Sequence, residues 1–195
     1  MRRTTTITLT ALVCLGVLTA CGGPQYGGSA PEVKASADSG GESAAAAEKP
    51  KAEKPSVAKV GDTVTLKGME DGEQLAVTLK KIEDPAKSKD EFFAPEDGSR
   101  WVGAQFELVN TGTKVYADSP GNGAQVADAD GQRFGTTLAD ITAGPSMTSG
   151  ANVPPGEKVL GWVVFEVPKA SKLATVQFAM NSGFADQTGQ WKLDK

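Results

Sequence analysis

Carboxylates, hydroxyls and two thiols are the reactive groups of this chain, which has no histidine. Without an imidazole there is no Ser-His-Asp or Cys-His relay. The commonest side-chain ligand for zinc, copper and haem iron is missing as well. Asp128-Ala129-Asp130-Gly131 has the opening of a calcium loop. Such a loop needs more oxygen ligands and a glutamate six residues beyond the glycine, and that position holds Thr137. A hairpin turn accounts for the same four residues. Asp90-Glu91 and Glu96-Asp97 set four acids around Phe92-Phe93. They read either as a loop site for calcium or as solvated carboxylates beside two rings that cover the end of a core. No spacing among the 24 acids selects a pair for glycoside hydrolysis. Ser146, Ser149 and Ser182 have no base to activate them. Ser56-Val57-Ala58-Lys59 has the serine–lysine spacing but sits in a stretch that reads as a tether. The expectation is a protein that is not an enzyme and has no metal and no cofactor.

The thiol with the most telling position is Cys21. It follows Leu18-Thr19-Ala20, at the end of an apolar run from Ile7 to Ala20 that stands behind Arg2 and Arg3. A basic start, an apolar middle too short to span a bilayer comfortably, and small residues before a cut are the parts of an export signal. The pattern resembles the lipobox of bacterial lipoproteins. That resemblance implies diacylglycerol on the Cys21 sulfur and cleavage between Ala20 and Cys21. An ordinary secretory signal around an unmodified cysteine is the plainer alternative. Arg2-Arg3 also leaves a twin-arginine export route open, although Thr4-Thr5-Thr6 lacks the usual apolar pair after the arginines. The general route is favoured.

Charge and composition bound the partners. The net charge is −4, and removing Arg2 and Arg3 leaves 18 basic against 24 acidic side chains. That balance carries no electrostatic footprint for nucleic acid. It adds no attraction to an anionic membrane surface beyond an anchor. Cys14 would leave with the signal and Cys21 would carry the lipid, so the mature domain has no disulfide and relies on its core.

The elements that would hold any site begin late. Residues 22–57 are mostly Gly, Ser, Ala, Pro, Glu and Lys, with Tyr26 and Val33 standing alone. Such a stretch buries too little to offset its ordering entropy and reads as a disordered tether. About 36 residues of flexible chain reach on the order of 30–35 Å. The division is therefore a signal at 1–20, a lipidated cysteine and linker at 21–57, and one domain at 58–195.

From Val60 onward polar and apolar residues alternate. Thr63-Val64-Thr65-Leu66 and Leu75-Ala76-Val77-Thr78-Leu79 flank Asp71-Gly72, a hairpin signal. In the strand from Trp101 to Val109, Val102, Ala104, Phe106 and Leu108 share a face, with Gln105 and Glu107 on the other. Gly123–Asp128 turns at Asp130-Gly131 into a short partner ending at Phe134. Val159–Val167 is the strongest strand, with Val159, Val163, Phe165 and Val167 on one face and Pro168 as its stop. Leu173–Met180 and Gln190–Leu193 follow. No stretch sustains an apolar 3.6-residue period. Short strands with turns between them predict an all-β, antiparallel immunoglobulin-like β-sandwich behind the signal and tether. The segment 136–155 is too long for a tight connection. Leu138 and Ile141 are its expected anchors, in a short helical turn. Trp101, Trp162 and Trp191 each fall in a strand, where core or half-core burial is the default. Trp162 lies opposite Val163 and Phe165, which makes it the candidate exposed aromatic for contact with a partner.

Taken in order, several pieces carry a family likeness. They are Val60-Gly61-Asp62, Gly98-Ser99-Arg100-Trp101-Val102, Leu108-Val109-Asn110-Thr111-Gly112, Asp128-Ala129-Asp130-Gly131, Pro155-Gly156-Glu157-Lys158 and Gly161-Trp162-Val163-Val164-Phe165-Glu166-Val167-Pro168. The chain from about Val60 to Lys195 resembles the domain-of-unknown-function family 4352 of extracytoplasmic Gram-positive lipoproteins. That family is similar in fold to a secreted immunogenic protein of mycobacteria. The resemblance implies a fold and a location and brings no catalytic residue. Pro155-Gly156 has turn chemistry, and Gly161 leaves room for a neighbouring backbone or ring, with Trp101 and Trp191 as candidates.

Two functional readings follow. One is a non-catalytic recognition module on the extracellular side of the cell membrane, held there by its lipid anchor. It would use a sandwich face or the 136–155 segment to meet an envelope protein, a peptide or a wall polymer. The other is an envelope enzyme acting on glycan or wall through carboxylates, and a calcium-dependent adhesion module is a further variant. The missing histidine and the absent nucleophile motif favour the first. A transporter's solute-binding lipoprotein would need two lobes, and this chain has one. The sequence carries no signal of oligomeric state.

Overall fold

The structure is a computed structural model that describes residues 57–193 and one strand, Glu32–Lys34. The signal, Cys21 and the remainder of the expected tether lie outside the described residues. Strands run in chain order as β1 (Glu32–Lys34), β2 (Ala58–Lys59), β3 (Thr63–Lys67), β4 (Gln74–Ala86), β5 (Ser99–Asn110) and β6 (Tyr116–Asp118). Then come β7 (Ala124–Asp128), β8 (Arg133–Phe134), β9 (Thr136–Thr137), β10 (Ala151–Val153), β11 (Lys158–Pro168), β12 (Leu173–Ala179) and β13 (Thr188–Lys192). Two short 3-10 turns, Pro120–Gly123 and Asn181–Gly183, complete the set. There is no α-helix among the described residues.

The strands form a six-stranded sheet in the order β1-β3-β4-β5-β11-β9 and a five-stranded sheet in the order β2-β13-β12-β7-β8, with a β10-β6 ribbon beside them. Among the described residues every pairing of strands is antiparallel except β2 with β13, where Ala58 lies opposite Trp191. The protein is an antiparallel β-sandwich. The expected hairpin pairs Val64 with Val77 and Leu66 with Leu75. The strand β4 runs past the alternating stretch to Ala86, with register shifts at Leu79/Lys81 and Glu83/Ala86. One three-residue piece of the expected disordered tether is instead strand β1, aligned Val33 to Val64 on the edge of β3. An uncovered strand edge offers unpaired N–H and C=O groups, and an extended segment satisfies them.

The core lies between the two sheets, as strand periodicity dictates. Val102, Ala104, Phe106 and Leu108 of β5 are fully buried, as are Phe165 and Val167 of β11 and Phe178 of β12. The Phe106 ring lies 5.5 Å from that of Phe178 and 6.0 Å from that of Trp191, the latter edge-on at 71°. Trp191 Nε1 donates to the Asp62 carbonyl at 2.9 Å, so the largest ring in the core is also polar-satisfied. At one end Asn110, 1% exposed, donates from Nδ2 to the carbonyls of Lys114 and Val153, both at 2.7 Å, and accepts from Gly112 N–H at 3.0 Å. Burying this amide is tolerable because each of its groups has a partner. The Pro155-Gly156 turn docks on the same residue through Gly156 N–H to the Asn110 carbonyl, 2.8 Å, with Gly156 at φ +84°.

The segment 136–155 departs from the expected helical turn. It starts as β9 on the edge of β11, leaves, returns for a bridge between Ser146 and Trp162, and ends in β10. Ile141 is buried as an anchor, but Leu138 is wholly exposed.

Candidate functional site

The outer face of the six-stranded sheet holds a second, smaller apolar cluster: Ala86, Trp101, Ile141, Trp162 and Val164, with Ala139 against it. Trp162 is therefore not the exposed aromatic expected from the sequence. It is 4% exposed, on the face that periodicity gives, but beneath a roof. Two loops make that roof, one from 87 to 98 and one from 138 to 150. They pair with each other through Lys89 N–H to the Asp140 carbonyl and Thr142 N–H to the Lys87 carbonyl, both at 2.9 Å.

Each loop is also fixed to the sheet. Glu166 of β11 accepts from Trp101 Nε1 at 3.1 Å and from Glu96 N–H at 2.8 Å, which clamps the first loop. At its base Arg100 forks onto Asp84, Nε to Oδ1 at 2.7 Å and Nη2 to Oδ2 at 3.1 Å. Hydrogen bonding to that carboxylate raises the guanidinium's already high pKa. The second loop is strapped to β11 by Trp162 N–H to the Pro145 carbonyl, 3.0 Å, and Met147 N–H to the Trp162 carbonyl, 2.7 Å. Glycine permits this strap. A Cβ on Gly161 would stand 2.4 Å from Met147 Cα, so the close neighbour is the loop backbone rather than Trp101 or Trp191. Under the roof, Gly103 makes room for Ile141 and the Trp162 ring.

Between the loops and the β9 edge opens a cleft of about 480 Å³. Hydroxyls of Ser88, Thr136 and Ser146, the carboxylates of Asp90 and Asp140, and the rings of Phe93 and Trp162 line it. The Asp90 carboxylate holds its own loop by accepting from Phe92 N–H at 2.9 Å, while Asp140 accepts from the Ser146 hydroxyl. The sequence reading in which Phe92 and Phe93 cover the end of the core does not hold. They are 86% and 64% exposed, on the side of the cleft. Trp162 Nε1 is buried without a hydrogen-bond partner among the described residues. Gly144, at φ +155°, stands over it, and a Cβ there would lie 2.8 Å from the nitrogen.

Other residues singled out in the sequence lie elsewhere. Asp128, buried in the β7–β8 hairpin, accepts on Oδ1 from Asp130 N–H at 3.0 Å and Gln132 N–H at 2.8 Å. Its carboxylate stabilises the turn, and no cluster of three or more metal-ligating side chains occurs among the described residues. Ser182 binds Asp118 through its N–H, 2.8 Å, and its hydroxyl, 2.7 Å, whereas the Ser146 hydroxyl binds Asp140. Sequence reasoning passed over Asp140, Gly144 and the roofing role of the 87–98 loop. The available signal was the unbroken apolar run Trp162-Val163-Val164-Phe165, which is the mark of a strand covered on both faces.

The family described as "Domain of unknown function (DUF4352)" matches residues 58–189. No curated protein sequence matches the chain. Among solved structures, the yjhA protein from Bacillus subtilis is similar at 17% identity over 70% of this chain and 99% of that one, with a TM-score of 0.50. A secreted protein from Mycobacterium tuberculosis, MPT63, has 21% identity over 72% of this chain and 98% of its own, at a TM-score of 0.49. An uncharacterized β-sandwich protein from Clostridium difficile has 12% identity over 75% of this chain and 100% of its own, at 0.40.

Proposed function

We propose, from the premise that this chain belongs to the DUF4352 family, that it is an extracellular, membrane-anchored lipoprotein whose β-sandwich is a non-catalytic binding module of the cell envelope. The cleft on the outer sheet face carries this reading. Sandwich faces that only meet solvent need no roof, whereas here two clamped loops enclose a concave, mixed polar and apolar surface of ligand size. The anchor rests on Leu18-Thr19-Ala20-Cys21.

Two measurements test it. In a bacterial host that lipidates exported proteins, Cys21→Ser should shift the chain out of the membrane fraction or leave the longer precursor. Normal processing with full membrane retention would sink the anchor. A photo-crosslinking side chain at position 138, beside the cleft, should capture an envelope component in source cells. The same group at exposed position 192 of the other sheet should not. Equal capture from both positions, or none from 138, would refute binding at this face.

A further inference from the structure

We propose that the outer cleft docks a basic peptide segment, one that presents lysine or arginine next to an apolar side chain. This rests on the binding-module reading and names the chemistry of its ligand. The first support is charge. Asp90 and Asp140 line the cleft, and no lysine or arginine does. Its shallow continuation adds Glu91 and Lys89, so three carboxylates face one ammonium. Asp90 and Asp140 each use only Oδ1 within the fold, with Phe92 N–H and the Ser146 hydroxyl. The second oxygen of each has no partner among the described residues and is open to a charge-assisted bond. Low-dielectric walls focus such a field on an incoming cation. A phosphate or another polyanion would meet repulsion.

The second support is the apolar rim. Phe93 and the fully exposed Leu138 line the cleft, and Phe92 stands beside it. Large side chains left in water at one place suit an apolar partner residue, and phenyl faces also attract ammonium and guanidinium groups. A peptide supplies both complements at once: a cation for the free carboxylate oxygens and an apolar group for the rim. A neutral glycan offers no cation.

The test uses the full chain in detergent and three probes read by calorimetry: an end-capped lysine–leucine pentapeptide, the same peptide with glutamate for lysine, and a trimer of N-acetylglucosamine. The lysine peptide should bind about 10-fold or more tightly than the glutamate peptide at low ionic strength, and the gap should shrink with added salt. Asp90→Asn with Asp140→Asn should lower its affinity by about 10-fold, while Asp186→Asn in the exposed connection before β13 changes nothing. Equal binding of the two peptides, or no effect of the Asp90 and Asp140 changes, overturns the proposal. If only the glycan trimer binds, the cleft remains a binding site and the basic-peptide assignment falls. If no probe binds and the crosslinker at 138 captures nothing, the binding-module reading falls with it.

Discussion

Trp191 and Trp162 are both nearly sealed from water, one between the sheets and the other outside them, and their indole nitrogens fare differently. In the inner core the ring of Trp191 meets Phe106 edge-on and its N–H reaches the Asp62 carbonyl. In the outer cluster the Trp162 ring is covered by Gly144 and Ile141, and its N–H reaches nothing among the described residues. The inner region is built by strand against strand, whose regular pleat allows burial and hydrogen bonding to be satisfied together. The outer region is strand under loop, closed by a few backbone bonds and two glycines. The contrast separates two ways of burying an indole, one fully hydrogen-bonded and one not.

The largest expected break of this contrast is Phe165→Ala. It removes a fully buried ring from the inner face of β11 and should cost about 3–5 kcal/mol, read from chemical denaturation. A midpoint unchanged within error would mean that the inner region does not carry the stability. Next comes the tryptophan pair. Trp191→Phe should cost about 2–3 kcal/mol, from lost volume and from the Asp62 carbonyl left without its donor. Trp162→Phe should cost less than about 1 kcal/mol, because relief of an unpaired buried donor offsets the smaller ring. Equal losses by thermal melting would erase the distinction.

A third test uses alkali. Burial, and then the neighbouring Asp118, push the Tyr116 phenol well above its ordinary pKa, so the folded chain holds a proton that the unfolded chain gives up near pH 10. Stability from this group is complete below that pH. It should decline above it by as much as about 1.4 kcal/mol per pH unit. Tyr116→Phe should flatten this slope in denaturation midpoints between about pH 9 and 11, and an unchanged slope would assign it to other groups. The smallest effect is expected from Gly161→Ala. Its Cβ collides with the Met147 backbone and should free the strap while costing only about 1 kcal/mol overall. Hydrogen exchange should speed up at Met147 and spare Phe106. Acceleration at both would couple the roof to the core.

The inner region was legible because period-two alternation names a face. Val102, Ala104, Phe106 and Leu108, and Val163, Phe165 and Val167, all point where the pattern puts them. The outer region was only half legible. The same rule put Trp162 on the outward face, but periodicity says nothing about what lies on top of that face. The cover comes from segments 87–98 and 138–150, whose contacts are long-range in sequence and depend on single backbone bonds such as Met147 to Trp162. Gly, Pro and Ser in those segments signalled only loop. The turns, by contrast, carried their own chemistry. Asp128 to Gly131 and Pro155-Gly156 form as their residue types require.

The parallel pairing of β2 with β13 has a consequence for how the domain can be mounted. Ala58 sits opposite Trp191 and Lys59 opposite Lys192, so β2 enters and β13 leaves the five-stranded sheet side by side, while β1, earlier in the chain, pairs on the β3 edge of the other sheet. Both connections lie on one edge of the five-stranded sheet, whereas the cleft opens on the outer face of the other sheet. The β2–β13 edge and the cleft therefore do not compete for space. The domain could be spliced into another protein or hung from a surface by that edge, and its cleft would still face outward.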